Sequence, residues 1–418
     1  MSAASQCKMK PSGIDWIGDV PEGWGIVRVK YTGWYRNGLT YAPDDVCDED
    51  EGVLVLRSSN IQGGKLDYAD SVYVNKTIPR ELMTRVDDIV ICSRNGSSDL
   101  IGKNAIVNDK RVMTFGAFMM TYRVESYFPR FAYWMLNSCV FKYYRSLFAT
   151  STVNQLTGAD FGNITVPVPP LDEQKRIAAK LDRLCGRVDE LADNIKGEIA
   201  ALQEYRKSLI TECVTKGLNP KAKMKPSGVV WIGDIPETRT LMRLRYLVSI
   251  TTGDHDTQDA DETGEYPLYV RSPIVERSQR YTFEGPGVLM AGDGAGAGRI
   301  FHLVDGKYAV HQRVYRLYNF SEIDQKFLWL WLQSFFPIVM DHCSAQSTVP
   351  SVRLPMLKNL IVALPTMEEY REIAAFLDKR CAVIDAKIAE RQRQLEKLGE
   401  YRSSVIYEYV TGKREVAA

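Results

Sequence analysis

Histidine is scarce in this chain, cysteine is scattered, and neither sign of charge prevails. Only four histidines occur in 418 residues. The eight cysteines (Cys7, Cys47, Cys92, Cys139, Cys185, Cys213, Cys343 and Cys381) never fall as a C-x-x-C pair, so no zinc cradle or dithiol motif can be read. A chain this long without a secretory signal gives no reason to expect a disulfide framework, and the thiols read as reduced, small core hydrophobes. No apolar run reaches the ~18 residues of a membrane span, and the opening residues lack a signal core. These absences speak against a membrane protein and for a cytoplasmic one. Lys+Arg (53) nearly cancels Asp+Glu (52), leaving +1. Bulk charge therefore does not advertise a nucleic-acid binder, although a basic face can sit opposite an acidic one. The G-x-x-x-x-G-K-[ST] of an ATP-hydrolysing loop is missing, and so is the N-P-P-Y type motif of amino-methyltransferases.

What is present is ordinary globular composition, 45% hydrophobic and 25% charged, in a length that suits two to three domains. It is also written twice. Met9–Glu22 (MKPSGIDWIGDVPE) returns as Met224–Glu237 (MKPSGVVWIGDIPE), an offset of 215 (224 less 9). Ser151-Thr152-Val153 returns at Ser347-Thr348-Val349, Ile177-Ala178-Ala179 at Ile373-Ala374-Ala375 and Tyr205-Arg206 at Tyr401-Arg402, all at an offset of 196 (373 less 177). A period near two hundred is far too long for a solenoid; a whole domain and its connector are duplicated.

Each copy has two parts. The first mixes β-branched runs with turn signals. Val53–Leu56, Asp88–Cys92 and Gly162–Val166 read as strands, and Phe131–Asn137 and Phe327–Leu332 as a core helix. The second part is one long helix. Ile177, Leu181, Leu184, Val188, Leu191, Ile195, Ile199, Leu202 and Leu209 step by threes and fours, and Gly217 and Pro220 end the run. Its repeat runs from Ile373 to Tyr409, with Arg380, Lys387 and Arg391 where the first has Leu184, Leu191 and Ile195. Two amphipathic surface helices would satisfy this pattern, but so long a stripe is better covered by antiparallel pairing of the two. The division reads as 1–168, 169–218, 219–365 and 366–415. The fold class is α+β, internally duplicated: two globular domains separated by two long antiparallel coiled-coil helices.

Chemistry-bearing clusters are few. Gly292–Arg299 offers a G-x-G-x-x-A pattern, but Ile300–Val304 after it reads as a strand, where a dinucleotide site needs a helix. A flexible turn fits better. The four histidines (His255, His302, His311 and His342) all lie in the second copy and read as incidental or local. Acidic runs at Asp44–Glu51 and Asp254–Glu265 could hold Mg²⁺ but read as solvated loops. What recurs is polar and basic: Arg57, Ser58 and Asn60 after one strand, with Arg271 and Ser272 after its counterpart; Arg94, Asn95 and Lys103, with Arg299; and Ser151, Thr152 and Asn154, with Gln346, Ser347 and Thr348. Singly such residues are surface groups or turn caps. Recurring in two copies, they suit base edges and phosphates in DNA grooves. No catalytic or metal-ligating residue is nominated.

The doubled opening motif, the Pro-Leu-x-Glu-Gln-x-x-Ile-Ala entry to the long helix (Pro170–Ala178) and the Ser-Thr-Val elements resemble the specificity subunits of type I restriction–modification systems. The resemblance implies two target-recognition domains on double-stranded DNA and an antiparallel helical spacer. It also implies two methyltransferase subunits as partners, and a motor-nuclease subunit recruited for restriction. No cofactor is expected on this chain, since S-adenosylmethionine would be bound by the methyltransferase, and ATP and Mg²⁺ by the motor-nuclease. A fused enzyme carrying its own catalytic domain is the competing class, and a scaffold without a DNA role is a third. Two departures stand out: Arg239 replaces Trp24, and Thr366–Glu369 only loosely repeats Leu171–Gln174. If the helices are the docking surface, reversing the charges of Arg183, Arg187, Glu190 and Lys196 should abolish methyltransferase co-purification without lowering the melting temperature; unchanged co-purification would exclude the helices.

Overall fold

The computed structural model describes residues 8–148, 155–343 and 350–416. It divides into two compact units. One is built from the residues up to Ile195 with those from Arg393 onward, and the other is Lys196–Gln392. Each unit therefore takes in part of both long helices, whereas the divisions read from the sequence keep each helix whole. No helix among the described residues is long and apolar enough to cross a membrane.

The first unit contains two four-stranded sheets. One has the order Asn104–Ile106, Ile89–Cys92, Met119–Val124, Gly33–Asn37, all antiparallel. The other has the order Met113–Phe115, Val53–Leu56, Tyr73–Val74, Val46–Cys47, with its first pair parallel. The run Ile-Val-Ile-Cys at Ile89–Cys92 is buried at all four positions, as suits a strand covered on both faces. The second unit repeats the plan. Ser249–Thr252, Val314–Tyr318, Gly287–Ala291 and Phe301–Val304 form one sheet. Val275–Ser278, Tyr266–Tyr269, Lys307–Val310 and Phe283–Glu284 form the other, with Tyr266–Tyr269 and Lys307–Val310 parallel. The core helices are Pro129–Leu136 and Gln325–Cys343. One expectation fails: Gly162 and Asn163 close a short helix, Gly158–Asn163, instead of opening a strand. Thr157 caps it, its Oγ1 accepting from the Asp160 amide at 3.1 Å, and the strand begins at Thr165.

The opening repeats are hairpins with the same register, Met9↔Pro21 and Met224↔Pro236. Behind them, Gly25–Arg28 pairs with Thr165–Val168 and Thr240–Arg243 with Ile361–Leu364. Each of those second strands runs directly into a long helix, Leu171–Lys216 (46 residues) or Met367–Val410 (44 residues). At 1.5 Å per residue these helices are roughly 65–70 Å long.

In the first unit the start of one helix (Ile177, Leu181, Cys185) and the end of the other (Val405, Ile406, Tyr409, Val410) enter one core with Trp16, Val20 and Trp24. In the second, Ile210, Cys213 and Val214 meet Tyr370, Ile373 and Leu377 over Ile232 and Ile235. Start meets end in both, so the pairing is antiparallel. Ion pairs cross it: Asp189–Arg402 at 3.1 Å in the first unit, and Glu198–Arg391 at 2.7 Å and Arg206–Asp385 at 2.9 Å in the second. Arg391, at the position of Ile195, thus makes an ionic contact where the first helix carries an apolar residue. Toward its middle the seam is thin, and Leu191 is 53% exposed.

The departure at Arg239 has a physical answer. Trp24, buried, donates from Nε1 to Glu173 Oε2 at 3.1 Å. In the second unit buried Arg239 meets Glu369 at 2.7 Å and donates to the Val214 carbonyl. Glu369 stands 196 positions after Glu173, so the helix entry does repeat once Met367–Tyr370 is set against Leu171–Gln174. The helix ends close on the same joints. Gly412 (φ 70°) packs against Trp24 and Pro21, and Gly217 (φ 76°) against Arg239 and Glu369. Burial draws Arg239 below its ordinary pKa, against the pull of Glu369. Removing the carboxylate strands a buried cation: Glu369→Ala should destabilise by about 2–3 kcal/mol, less than the full ~3–5 for a buried pair because Glu369 keeps 22% exposure. Arg239→Met with Glu369→Leu should cost less, both read from urea midpoints. Equal losses would mean the charge is not what the joint depends on.

Candidate nucleic-acid interface

At one end of the four-stranded antiparallel sheet of the first unit the loops leave a concave surface. It is a groove of about 1230 Å³ lined by Arg57, Ser58, Asp70, Arg94, Asn95, Phe118 and Gln155, among others. Four predicted residues thus come together. Asn95 Nδ2 donates to Ser58 Oγ at 3.3 Å, and Lys103 Nζ to the Ser58 carbonyl at 3.3 Å, so Lys103 underpins the same loop. Arg57 is held at 2.9 Å by Asp70, itself 68% exposed. Arg94 lies over the exposed Phe118 ring at 5.1 Å, a flat cation backed by a flat ring. Asn60 is different. It is fully buried, accepts from the Arg57 amide at 2.9 Å and donates to the carbonyls of Asp67 and Asp70. Its amide holds the loop, and reaching a ligand would break those bonds, so its role is framework and not contact.

Ser151, Thr152 and Asn154, and Gln346, Ser347 and Thr348, lie outside the described residues. Their neighbours are placed, however. Gln155 bridges Arg94 at the groove, and Ser351 bridges Asp293.

Strand register corrects the pairing of the copies. Leu56 sits against Phe115, and Tyr269 against Val310. The next bridges are Leu39↔Gly116 and His255↔His311. The counterpart of Arg57 is therefore buried Val270, and that of Ser58 is Arg271. The counterpart of Arg94 is Asp293, not Arg299, and that of Phe118 is Arg313. Arg299 pairs instead with Asp341 on the core helix. Ser272 accepts from the Ile274 amide at 3.1 Å and shapes the turn.

In the second unit a carboxylate therefore replaces the Arg94 cation, and an arginine replaces the ring. Asp293, 16% exposed, accepts from Arg271 Nη1 on Oδ1 at 2.9 Å and from Arg313 Nη1 on Oδ2 at 2.6 Å. Burial would raise its pKa, but the two guanidinium groups outweigh burial and hold it below the ordinary carboxylate value. Arg271 and Arg313 are 42% and 63% exposed, each commits one nitrogen to Asp293, and among the described residues nothing else takes the rest of either donor fork. Two such forks on one carboxylate are geometrically ready for the O6/N7 edge of guanine or for phosphate.

His255 and His311 are framework to this loop. His311 is buried and accepts from the Arg313 amide on Nδ1 at 3.0 Å, and Asp256 lies 3.4 Å from its Nε2. Burial, then Arg271, lowers its pKa, so it is neutral at neutral pH. His255 is buried beside it, and His302 lies tilted against the Tyr269 ring at 4.9 Å between centroids. The acidic segment is engaged in the same way. Asp254 takes Thr282 at 2.6 Å and Arg280 at 3.0 Å, with its pKa down to about 2, chiefly through Thr282. Among the described residues no group of His, Cys, Asp or Glu could hold a metal ion. The Gly292–Arg299 segment is a turn, with Gly294 and Gly298 at φ 75° and 64°, and a strand follows it.

The profile of the type I restriction modification DNA specificity domain matches this chain twice, over residues 40–201 and 236–397. The chain belongs to that family. It is 31% identical over 219 residues to the type I restriction enzyme StySPI specificity subunit of Salmonella potsdam, covering 51% of this chain and 47% of that one. To the EcoKI specificity subunit of Escherichia coli it is 33% identical over 209 residues, 49% of this chain and 45% of that one. The matched stretch thus spans about half the length of these relatives. A solved chain from work on complex assembly and conformational transition of the type I R-M system shares the fold, with a TM-score of 0.69 at 17% identity over 94% of this chain and 99% of that one. Both copies of the duplicated domain are therefore DNA specificity domains.

Sequence reading missed Phe118, Asp293 and Arg313 as contacts. The signal for Arg313 was its place between two strand patterns in His311-Gln312-Arg313, the counterpart of Gly116-Ala117-Phe118. Arg313→Ala should lower discrimination at one half of the DNA site by about 1–3 kcal/mol and leave the other half unchanged. Asp293→Asn should affect the same half by loosening both forks. Competition with duplexes altered in one half at a time checks this; equal weakening on every duplex would make Arg313 a phosphate anchor.

Proposed function

We propose that the chain is the sequence-reading subunit of a type I restriction–modification assembly. Each unit reads one half of a bipartite, asymmetric site in double-stranded DNA. The long helices set the gap between the halves and dock two methyltransferase subunits, and a motor-nuclease subunit joins for cleavage. Methyl transfer and cleavage belong to those partners, which bring S-adenosylmethionine, ATP and Mg²⁺; this chain supplies the address. One observation carries the reading: two units share a frame, joint for joint, while the groove residues at matching positions differ. Arg57 stands against Val270, Arg94 against Asp293 and Phe118 against Arg313. A duplicated frame with diverged loop residues at the sheet ends suits two different half-sites. Near-zero net charge fits weak binding by the subunit alone, because phosphate contacts dominate affinity and need many cations.

Mapping methylated bases in cells tests this directly. Exchanging the 238–346 core for that of a relative should change one half-site and preserve the other half and the gap. Inserting about four residues, roughly one turn, into both long helices should alter the gap and keep both halves. A core exchange that scrambled both halves would show that DNA is read as one continuous surface.

A further inference from the structure

One surface feature is the same in both units and lies away from the loop ends of the sheets. Arg28-Val29-Lys30-Tyr31 and Arg243-Leu244-Arg245-Tyr246 stand 215 positions apart (243 less 28). Each makes a single tight turn, Val29–Tyr31 or Leu244–Tyr246, whose apolar residue is fully buried. Each turn is tied down by one backbone bond, Val29 to the Ile164 carbonyl and Leu244 to the Leu360 carbonyl, both 2.9 Å. The rigid turn holds a tyrosine outward: Tyr31 is 71% exposed and Tyr246 65%. A cation stands over each ring, Lys30 at 5.2 Å and Arg245 at 5.5 Å, and Arg28 and Arg243 are exposed alongside.

An exposed tyrosine by itself means nothing. The same one in both copies, on the same anchored turn and beside a cation in each, is a different observation, because neither ring contributes to a core. Whatever it meets must be alike at both units, whereas the base-reading positions have diverged. Its location narrows the choice. The turn precedes the edge strand Gly33–Asn37, whose first residue pairs with Val124 and whose far end runs toward Met119 and Phe118 at the groove. Five residues of strand, roughly 15 Å, lie between patch and groove. In the second unit Ser249–Thr252 separates Tyr246 from the Asp293–Arg313 end in the same way.

From this we propose that the two basic-aromatic turns are docking points for one protein subunit present twice, each copy presenting carboxylates around a cup for the phenol ring. Tyrosine and arginine are the side chains that most often carry binding energy at protein interfaces. Resting on the preceding functional reading, the occupant is the methyltransferase subunit, one per unit, so docking extends from the helices onto the globular units.

The test uses the full chain co-expressed with its neighbouring methyltransferase, with subunits counted by native mass spectrometry across a dilution series. The parent should carry two methyltransferases. Lys30→Glu with Tyr31→Ala, or Arg245→Glu with Tyr246→Ala, should leave one, the other dissociating at least tenfold more readily, and the combined variant should lose both. Tyr31→Ala and Tyr246→Ala alone, which leave Val29 and Leu244 in place, should shift the same way with an unchanged melting temperature. Two methyltransferases retained at every dilution in all variants would overturn the proposal. So would full retention with a shallower salt dependence of DNA binding, which would make the turns phosphate anchors. A parent chain that captures no methyltransferase would overturn the functional reading itself, and is distinguishable from both.

Discussion

A helix of more than forty residues cannot cover its apolar stripe on one small domain, and the rest of this structure follows from how that stripe is buried. Each end enters a globular core. At each entry a carboxylate in the first turn of the helix, Glu173 or Glu369, grips a buried side chain just after the opening hairpin, Trp24 or Arg239. A second pair reinforces it: Arg130–Asp182 at 2.8 Å in one unit and Lys326–Asp378 in the other. Exposed pairs of this kind add little stability singly. Their value is geometric, because they fix the rotation of a long helix about its own axis and hence the angle at which the sheets meet it.

With the frame fixed, the loops at the sheet ends are free to change. The positions of Arg94 and Phe118 show how far this goes. A cation over a ring in one unit becomes a carboxylate between two guanidinium groups in the other, yet the backbone bridge beside it, Arg94↔Gln155 or Asp293↔Ser351, is retained. The geometry of the contact outlives its chemistry. That separation is what a DNA specificity domain requires, since new side chains must be accepted at the reading edge without disturbing the core.

Much of this was legible in the residues. Periodicity, with Gly217 and Pro220 closing the first, gave both long helices to within a few residues, because a heptad stripe is a local signal. The repeated opening gave the duplication, and the strand runs Val53–Leu56 and Ile89–Cys92 were readable from β-branched content. The candidate site was half legible. Arg57, Ser58, Arg94 and Asn95 do share a groove, and Arg271 does lie on the matching loop. The pairing of copies failed because offsets drift along the chain, from 215 (Met9 to Met224) to 195 (Phe118 to Arg313), and only strand register tells which residue stands where. Asn60 misled for a related reason: a polar side chain in a loop looks available until its three bonds to the loop are seen.

The sequence by itself determined the duplication, the α+β class, the two long amphipathic helices and the family resemblance, since all of these rest on local patterns and internal comparison. Tertiary structure alone decided that Arg239 is a buried partner of Glu369 and not a broken motif. It alone showed that Asp293 gathers Arg271 and Arg313 and that His311 backs their loop. Those facts depend on residues tens to more than a hundred positions apart meeting at one place. Burial and charge pairing are properties of that meeting, and no single stretch of sequence contains them.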